Sequence, residues 1–159
     1  MVLDAFSWLL SSAAYMFTDA SQMEMIAKLG LAALLGGIIG YEREKHLRPA
    51  GLRTHMLVSM GACIFSMLSM TAFAGTPSQG YMAATIVMGI GFVGAGTIVH
   101  VKDKTFGLTT AASLWLTASI GVAVATGYYL LSIVAAIIGL VVLSMKPVED
   151  SIHKNSQRR

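Results

Sequence analysis

Residues 54–101 and 105–145 contain no Asp, Glu, Lys or Arg, over 48 and 41 consecutive positions. One crossing of a bilayer's hydrocarbon core takes about 20 apolar residues, so each stretch can cross twice and must fold back on itself. The breaks are legible. Gly75, Thr76, Pro77, Ser78, Gln79 and Gly80 punctuate the first stretch, and Thr126 with Gly127 punctuates the second. With the apolar run that precedes Tyr41, they predict five helices at 25–41, 55–74, 81–101, 108–125 and 128–145. Composition agrees: 55% hydrophobic and 12% charged residues with a mean hydropathy of +0.70 lie far from the roughly 25% charged content of soluble domains. The expected fold is all-α, an integral membrane helical bundle of five transmembrane helices.

Basic residues orient such a bundle, because Lys and Arg are retained on the cytoplasmic side while Asp and Glu contribute little. Ten of the eleven fall on one side: Arg43, Lys45, Arg48 and Arg53, then Lys102 and Lys104, then Lys146, Lys154, Arg158 and Arg159. Lys28 is the exception, among Asp4, Asp19 and Glu24. The N-terminus is therefore expected outside and the C-terminus in the cytoplasm, which agrees with an odd number of spans. Orientation accounts for these cations, so no nucleic-acid partner is expected. Residues 5–17 are apolar but too short to cross, and with Trp8 and Tyr15 they read as an interfacial helix or an unstructured start. The organisation is then an interfacial segment over 1–24, a transmembrane domain over 25–145 and a short cytoplasmic tail over 146–159.

Six of the nineteen charged residues crowd into positions 42–53: Glu42, Arg43, Glu44, Lys45, Arg48 and Arg53. Anchoring explains the cations but not the two glutamates. With Pro49 and Gly51 bending the connection, Arg53 and Thr54 are expected to return toward the helix ends, where an ionic cluster of Glu42, Arg43, Glu44, Arg48 and Arg53 would hold the helices in register. A solvated loop is the competing reading. A magnesium ion would need carboxylates and retained waters, which only Glu42, Glu44 and Asp103 supply at this edge.

Glycines mark Gly36, Gly37 and Gly40 on the first helix and Gly89, Gly91, Gly94 and Gly96 on the third. Small residues let helices approach closely in lipid, and helix packing is the expected use of all seven. The third-helix run also satisfies a dinucleotide fingerprint, but it lacks the preceding strand, soluble helix and downstream acid that motif requires. At a constant offset of 56, Gly40, Gly51, Leu52 and Thr54 match Gly96, Gly107, Leu108 and Thr110. Either a helical hairpin has been duplicated or the match is chance in apolar sequence. Met56, Met60, Cys63, Met67 and Met70 line one face of the second helix, as packing or as thioether and thiol ligands for a soft ion. A single cysteine excludes an intrachain disulfide. His46, His55, His100 and His153 read as interfacial polarity, and no nucleophile or carboxylate pair suggests catalysis. Hydroxyls at Thr109, Thr110, Ser113, Thr117 and Ser119 suit interhelical bonding or a narrow path.

The strings GGIIGYERE (36–44), RPAGLRTHMLV (48–58), GIGFVGAG (89–96) and GLTTAASLW (107–115) closely resemble the MgtC/SapB family of bacterial inner-membrane proteins. The resemblance implies a multi-helix membrane domain and a role in magnesium homeostasis or adaptation to magnesium-poor and acidic surroundings. For some members it implies regulation of the membrane ATP synthase, but not an established transport activity. Longer members add a soluble C-terminal domain, and this sequence ends at Arg159 in the manner of a short form. The favoured function is thus a non-enzymatic, oligomeric inner-membrane protein that contacts lipid and another membrane complex and needs no cofactor, magnesium being the one ion to consider. A transporter or channel for magnesium or another small ion is the alternative, and an enzyme acting on lipid has no catalytic group to argue for it.

Overall fold

The computed structural model describes residues 20–145 except 77 and 103, and no side chain at 20 or 78–80. Residues 1–19 of the expected interfacial segment, the tail, Asp103 and His153 lie outside the described residues, while 20–24 of that segment open α1. Five helices follow in order: α1 (Ala20–Lys45), α2 (Leu52–Thr71), α3 (Ser78–Ala95), α4 (Leu108–Ala125) and α5 (Tyr129–Ser144). Between α3 and α4 runs a hairpin of β1 (Val99–Val101) and β2 (Lys104–Phe106), paired antiparallel with Val99 opposite Phe106.

Two boundaries correct the sequence expectation. The third helix ends at Ala95 rather than 101, because Gly96 and Thr97 turn the chain and the Thr97 hydroxyl donates to Gly94 O at 2.7 Å. The following VHV and KTF segments, rich in β-branched residues, pair as strands instead of extending the helix. The fold is therefore helical with one small hairpin. The first helix runs beyond 25–41 in both directions, since Glu42, Arg43, Glu44 and Lys45 are good helix formers and continue it for another turn. Four of the six charged residues of the cluster thus stand on α1 and Arg53 stands on α2, leaving Arg48 in the connection.

Connections of a few residues make the helices alternate in direction. The end of α1, the start of α2, the end of α3 with its hairpin, the start of α4 and the end of α5 consequently share one end of the bundle. α1 stops there in a Schellman motif: Arg48 N–H bonds Arg43 O at 3.0 Å, Leu47 N–H bonds Glu44 O at 2.9 Å, and Leu47 takes φ +53°. α2 and α4 begin 56 positions apart, after Gly51 and Gly107, although Gly51 is extended at φ −106° and Gly107 is left-handed at +88°.

α4 is the central element. Its Ile120, Val124 and Ala125 join Ala32, Leu35 and Ile39 of α1, Cys63 of α2 and Ala136 of α5 in one apolar core. Its Leu114 and Ala118 join Ala62 of α2 and Ile90 of α3 in another. Outward-facing surfaces stay apolar, with Leu34, Phe65, Met88, Phe92, Ile138 and Val141 all exposed. An apolar exterior around a packed apolar and hydroxyl-bearing interior suits lipid, not water, as the surrounding solvent. α1, α2 and α4 are long and apolar enough to cross a membrane, while α3 and α5 contain shorter apolar stretches, Tyr81–Ala95 and Tyr129–Ser144.

Candidate functional site

The site forms where α1 and α2 cross. A Cβ on Gly36 would lie 2.7 Å from His55 O and 2.8 Å from Ser59 Cβ, and one on Gly40 would lie 2.8 Å from Leu52 Cα. Hydrogen at both positions allows backbone contact. Because Gly36, Gly40 and Arg43 fall four and three residues apart, one face of α1 carries all three. The approach that seats the glycines against α2 therefore also draws Arg43 inward, to 3% exposure.

Arg43 is compensated by its neighbour. Its Nε lies 2.8 Å from Glu42 Oε2 and its Nη2 donates to Glu42 Oε1 at 3.4 Å. Adjacent helical residues do not face each other, and the shorter contact is an ion pair without hydrogen-bond alignment. Glu42 also holds His46, whose Nδ1 is 3.1 Å from Oε1 and 2.9 Å from Glu42 O. Arg48 Nε is buried with no hydrogen-bond partner among the described residues.

Glu44 does something different. Its Oε2 accepts the N–H of Leu52 at 2.8 Å, satisfying one of the donors that open α2. A carboxylate is well placed there, at the positive end of the helix dipole. The same oxygen would lie 2.8 Å from a Cβ at residue 51, which accounts for Gly51. The two glutamates thus have separate partners, Arg43 and His46 for one and the α2 amide for the other. Arg53, expected to return to the cluster, is exposed and has no ion-pair partner among the described residues, and Thr54 follows it in the first turn of α2.

Beneath the cluster sits His55, fully buried, so interfacial polarity is the wrong description of this histidine. Its Nδ1 faces Gly51 O at 2.9 Å and its Nε2 faces Ser113 Oγ of α4 at 3.1 Å. A carbonyl only accepts, so Nδ1 carries a proton. The Ser113 hydroxyl also lies 2.8 Å from Thr110 O, giving one proton two acceptors. Thr117 donates to Ser113 O at 2.8 Å and Ser66 to Ala62 O at 2.8 Å, both within their own helices. Ser59 Oγ is buried without a hydrogen-bond partner among the described residues. Arg43, His55, Ser113, Thr117 and Ser59 together make a polar interior reaching from the charged end into the bundle.

Of the other glycines, a Cβ on Gly37 would lie 3.3 Å from Met56 Cγ, one on Gly94 3.4 Å from Ala111 Cβ of α4, and one on Gly96 3.3 Å from Val93 O of its own helix end. Gly89 and Gly91 depart from the packing expectation: a Cβ on either meets nothing within 4 Å, and Gly89 borders an open groove between α2 and α3 instead of a helix contact. In the methionine and cysteine stripe, Cys63 is fully buried in the apolar core and Met67 packs against it.

Comparison with known proteins places this arrangement. Residues 29–151 match the MgtC family along their length. The chain belongs to the MgtC family. Among curated MgtC-family relatives, "Putative magnesium transporter YhiD" of Escherichia coli K12 is 41% identical over 129 residues, covering 77% of this chain and 60% of that protein. "Protein MgtC" of Salmonella typhimurium LT2 is 47% identical over 113 residues, covering 71% of this chain and 48% of that protein. An uncharacterised protein of Haemophilus influenzae is 35% identical over 147 residues, covering 85% and 61%. The chain thus spans about half to three fifths of the relatives it matches. No solved structure matches it. The MgtC-family segment includes every residue of the charged cluster and of the His55–Ser113 contact. Sequence reading missed that contact. Its signal was the GxxxG spacing of Gly36 and Gly40, which brings His55 under α1.

Proposed function

We propose that this chain is a bacterial inner-membrane protein that serves magnesium homeostasis, or adaptation to low magnesium or acid, by contacting another membrane complex rather than by catalysing a reaction. Membership of the MgtC family is the observation that carries the reading, with the magnesium-related name of the YhiD relative beside it. All five helices cross, with the N-terminus outside and the C-terminus in the cytoplasm. α5, with 16 residues, measures about 24 Å, short of a core of about 30 Å, and would require some local thinning. In support, Arg43, Lys45, Arg48, Arg53, Lys102 and Lys104 share one end of the bundle, whereas Lys28 near the other is paired with Glu24 at 2.8 Å.

The contact surface in this reading is the cytoplasmic end, where Glu42, Arg43 and Glu44 fix the crossing of α1 and α2. The working form is a homo-oligomer. A magnesium ion at Glu42, Glu44 and Asp103 would have to displace Arg43, His46 and the α2 amide from the first two carboxylates, so the reading assigns no ion there. The second reading, a small-ion transporter, is favoured by the buried hydroxyls of Ser59, Ser113 and Thr117 behind His55.

Reconstitution separates the two. Purified chain in liposomes should pass no magnesium or protons, and cross-linking in intact membranes should capture one recurrent membrane-protein partner. Ion flux that is lost on substitution of Ser113 would overturn the regulatory reading in favour of transport.

A further inference from the structure

We infer that the groove between α2 and α3 is a binding site for one acyl chain of an anionic phospholipid, whose phosphate is held by Arg53. The inference rests on the chain lying in a membrane and is independent of its role in magnesium physiology. The groove encloses about 420 Å³, between Leu57, Gly61 and Phe65 of α2 and Met82, Ile86 and Gly89 of α3. That volume falls within the roughly 300–1,000 Å³ typical of small-ligand sites. Each wall carries one glycine, Gly61 on α2 and Gly89 on α3, and a Cβ on either would meet nothing within 4 Å. The space is therefore not filled by the fold's own side chains. The one hydroxyl in its wall, Thr85, donates to Met82 O at 2.8 Å, leaving an apolar lining with no donor for a polar ligand.

Charge supplies the rest of the occupant. Arg53, Leu57, Gly61 and Phe65 recur every four residues and so follow one another along a single inclined ridge of α2. Arg53 stands one turn beyond the groove at the basic end of the bundle, exposed and without an ion-pair partner among the described residues. An apolar channel ending at a guanidinium that has no ion-pair partner among the described residues matches an acyl chain that ends in a phosphate, which Arg binds as a planar fork. A second copy of the chain would fill the groove with a helix but would leave Arg53 unused.

Native mass spectrometry of the full chain, released from detergent after incubation with phosphatidylglycerol or with phosphatidylcholine of identical acyl chains, tests the site. One lipid per chain is expected, with phosphatidylglycerol preferred about fivefold, the worth of one basic side chain at an anionic surface. Gly61→Leu and Gly89→Leu should each lose the adduct. Gly30→Leu, equally free of neighbours on α1, should keep it. Arg53→Gln should retain lipid but bind both headgroups equally.

Equal retention by the two groove variants, or a headgroup preference that survives Arg53→Gln, overturns the proposal. So does a lipid-free dimer that Gly89→Leu dissociates, which would assign the groove to a second copy. A further measurement avoids variants altogether: phosphatidylglycerol carrying a photoreactive group in its acyl chain should label the α2 and α3 walls of the wild-type chain. Even labelling of all five helices would overturn the site.

Discussion

Glu44 Oε2 lies 2.8 Å from the backbone nitrogen of Leu52, so a carboxylate on the last turn of α1 caps the first turn of α2 across eight residues of sequence. This bond, rather than a network of side-chain ion pairs, ties the two helices together at their charged end.

Loss of the cap should be measurable. Glu44→Ala is expected to cost about 1 kcal/mol, the usual worth of an N-cap acceptor, and Glu44→Gln less, since an amide oxygen remains. Gly51→Ala should cost a similar amount by pushing Glu44 away. Thermal unfolding of the two single variants and the double variant in detergent checks this: the effects should be less than additive, because both remove one interaction.

The glycine crossing makes a sharper contrast. A Cβ at Gly40 would lie 2.8 Å from Leu52 Cα and 2.9 Å from Gly51 O, and backbone cannot swing aside as a side-chain tip can. Gly40→Ala should therefore destabilise by about 1–3 kcal/mol. Gly30→Ala on the same helix, in open space, should be neutral or stabilising by up to about 1 kcal/mol. Chemical or thermal denaturation of both variants checks the contrast.

Burial of the Glu42–Arg43 pair predicts an asymmetry among the charged residues. Glu42→Gln leaves the guanidinium of Arg43 without its counter-charge in the interior and should cost about 3 kcal/mol or more. Replacing both by Met should be milder than replacing Glu42 alone. Lys45→Ala and Arg53→Gln, at exposed positions, should leave the melting temperature nearly unchanged. A thermal-shift series over the four variants distinguishes this ordering from one in which Arg53 is structural.

Ser113 links α4 to α2 through His55. Ser113→Ala strands His55 Nε2 in a buried position and is expected to cost about 1–3 kcal/mol. Ser119→Ala removes a hydroxyl that is exposed and bonds only to Leu116 O of its own helix, and should cost almost nothing. Unfolding of the pair of variants, with cysteine cross-linking between α2 and α4 as a second readout, tests whether the contact holds those helices together.

Much of the helix order was readable in the amino-acid pattern. The central helix runs from Leu108 to Ala125 as expected, because Gly107 and Gly127 punctuate it locally and the residues between are uniformly apolar or hydroxylic. The third helix was misjudged over its last six expected residues, 96–101, since hydropathy does not distinguish an apolar strand such as Val99–Val101 from a continuing helix. The packing of the seven glycines was readable only in part. Gly36 and Gly40 on one side and Gly89 and Gly91 on the other are all small residues in apolar helices, yet the first pair meets α2 closely and a Cβ on either of the second would touch nothing within 4 Å.

Local chemistry thus determines where the chain is apolar, where it turns and which end of the bundle is basic. Tertiary structure alone decides what each charge does: Arg43 is inside, Glu44 caps a helix, His55 is buried against Ser113, and Arg53 is exposed. The reason is physical. Hydropathy and turn preference act within a few residues of sequence, whereas burial and pairing depend on how closely two helices cross, and that distance is set at Gly36 and Gly40 by residues from Gly51 to Ser59 at the start of α2, well beyond that range.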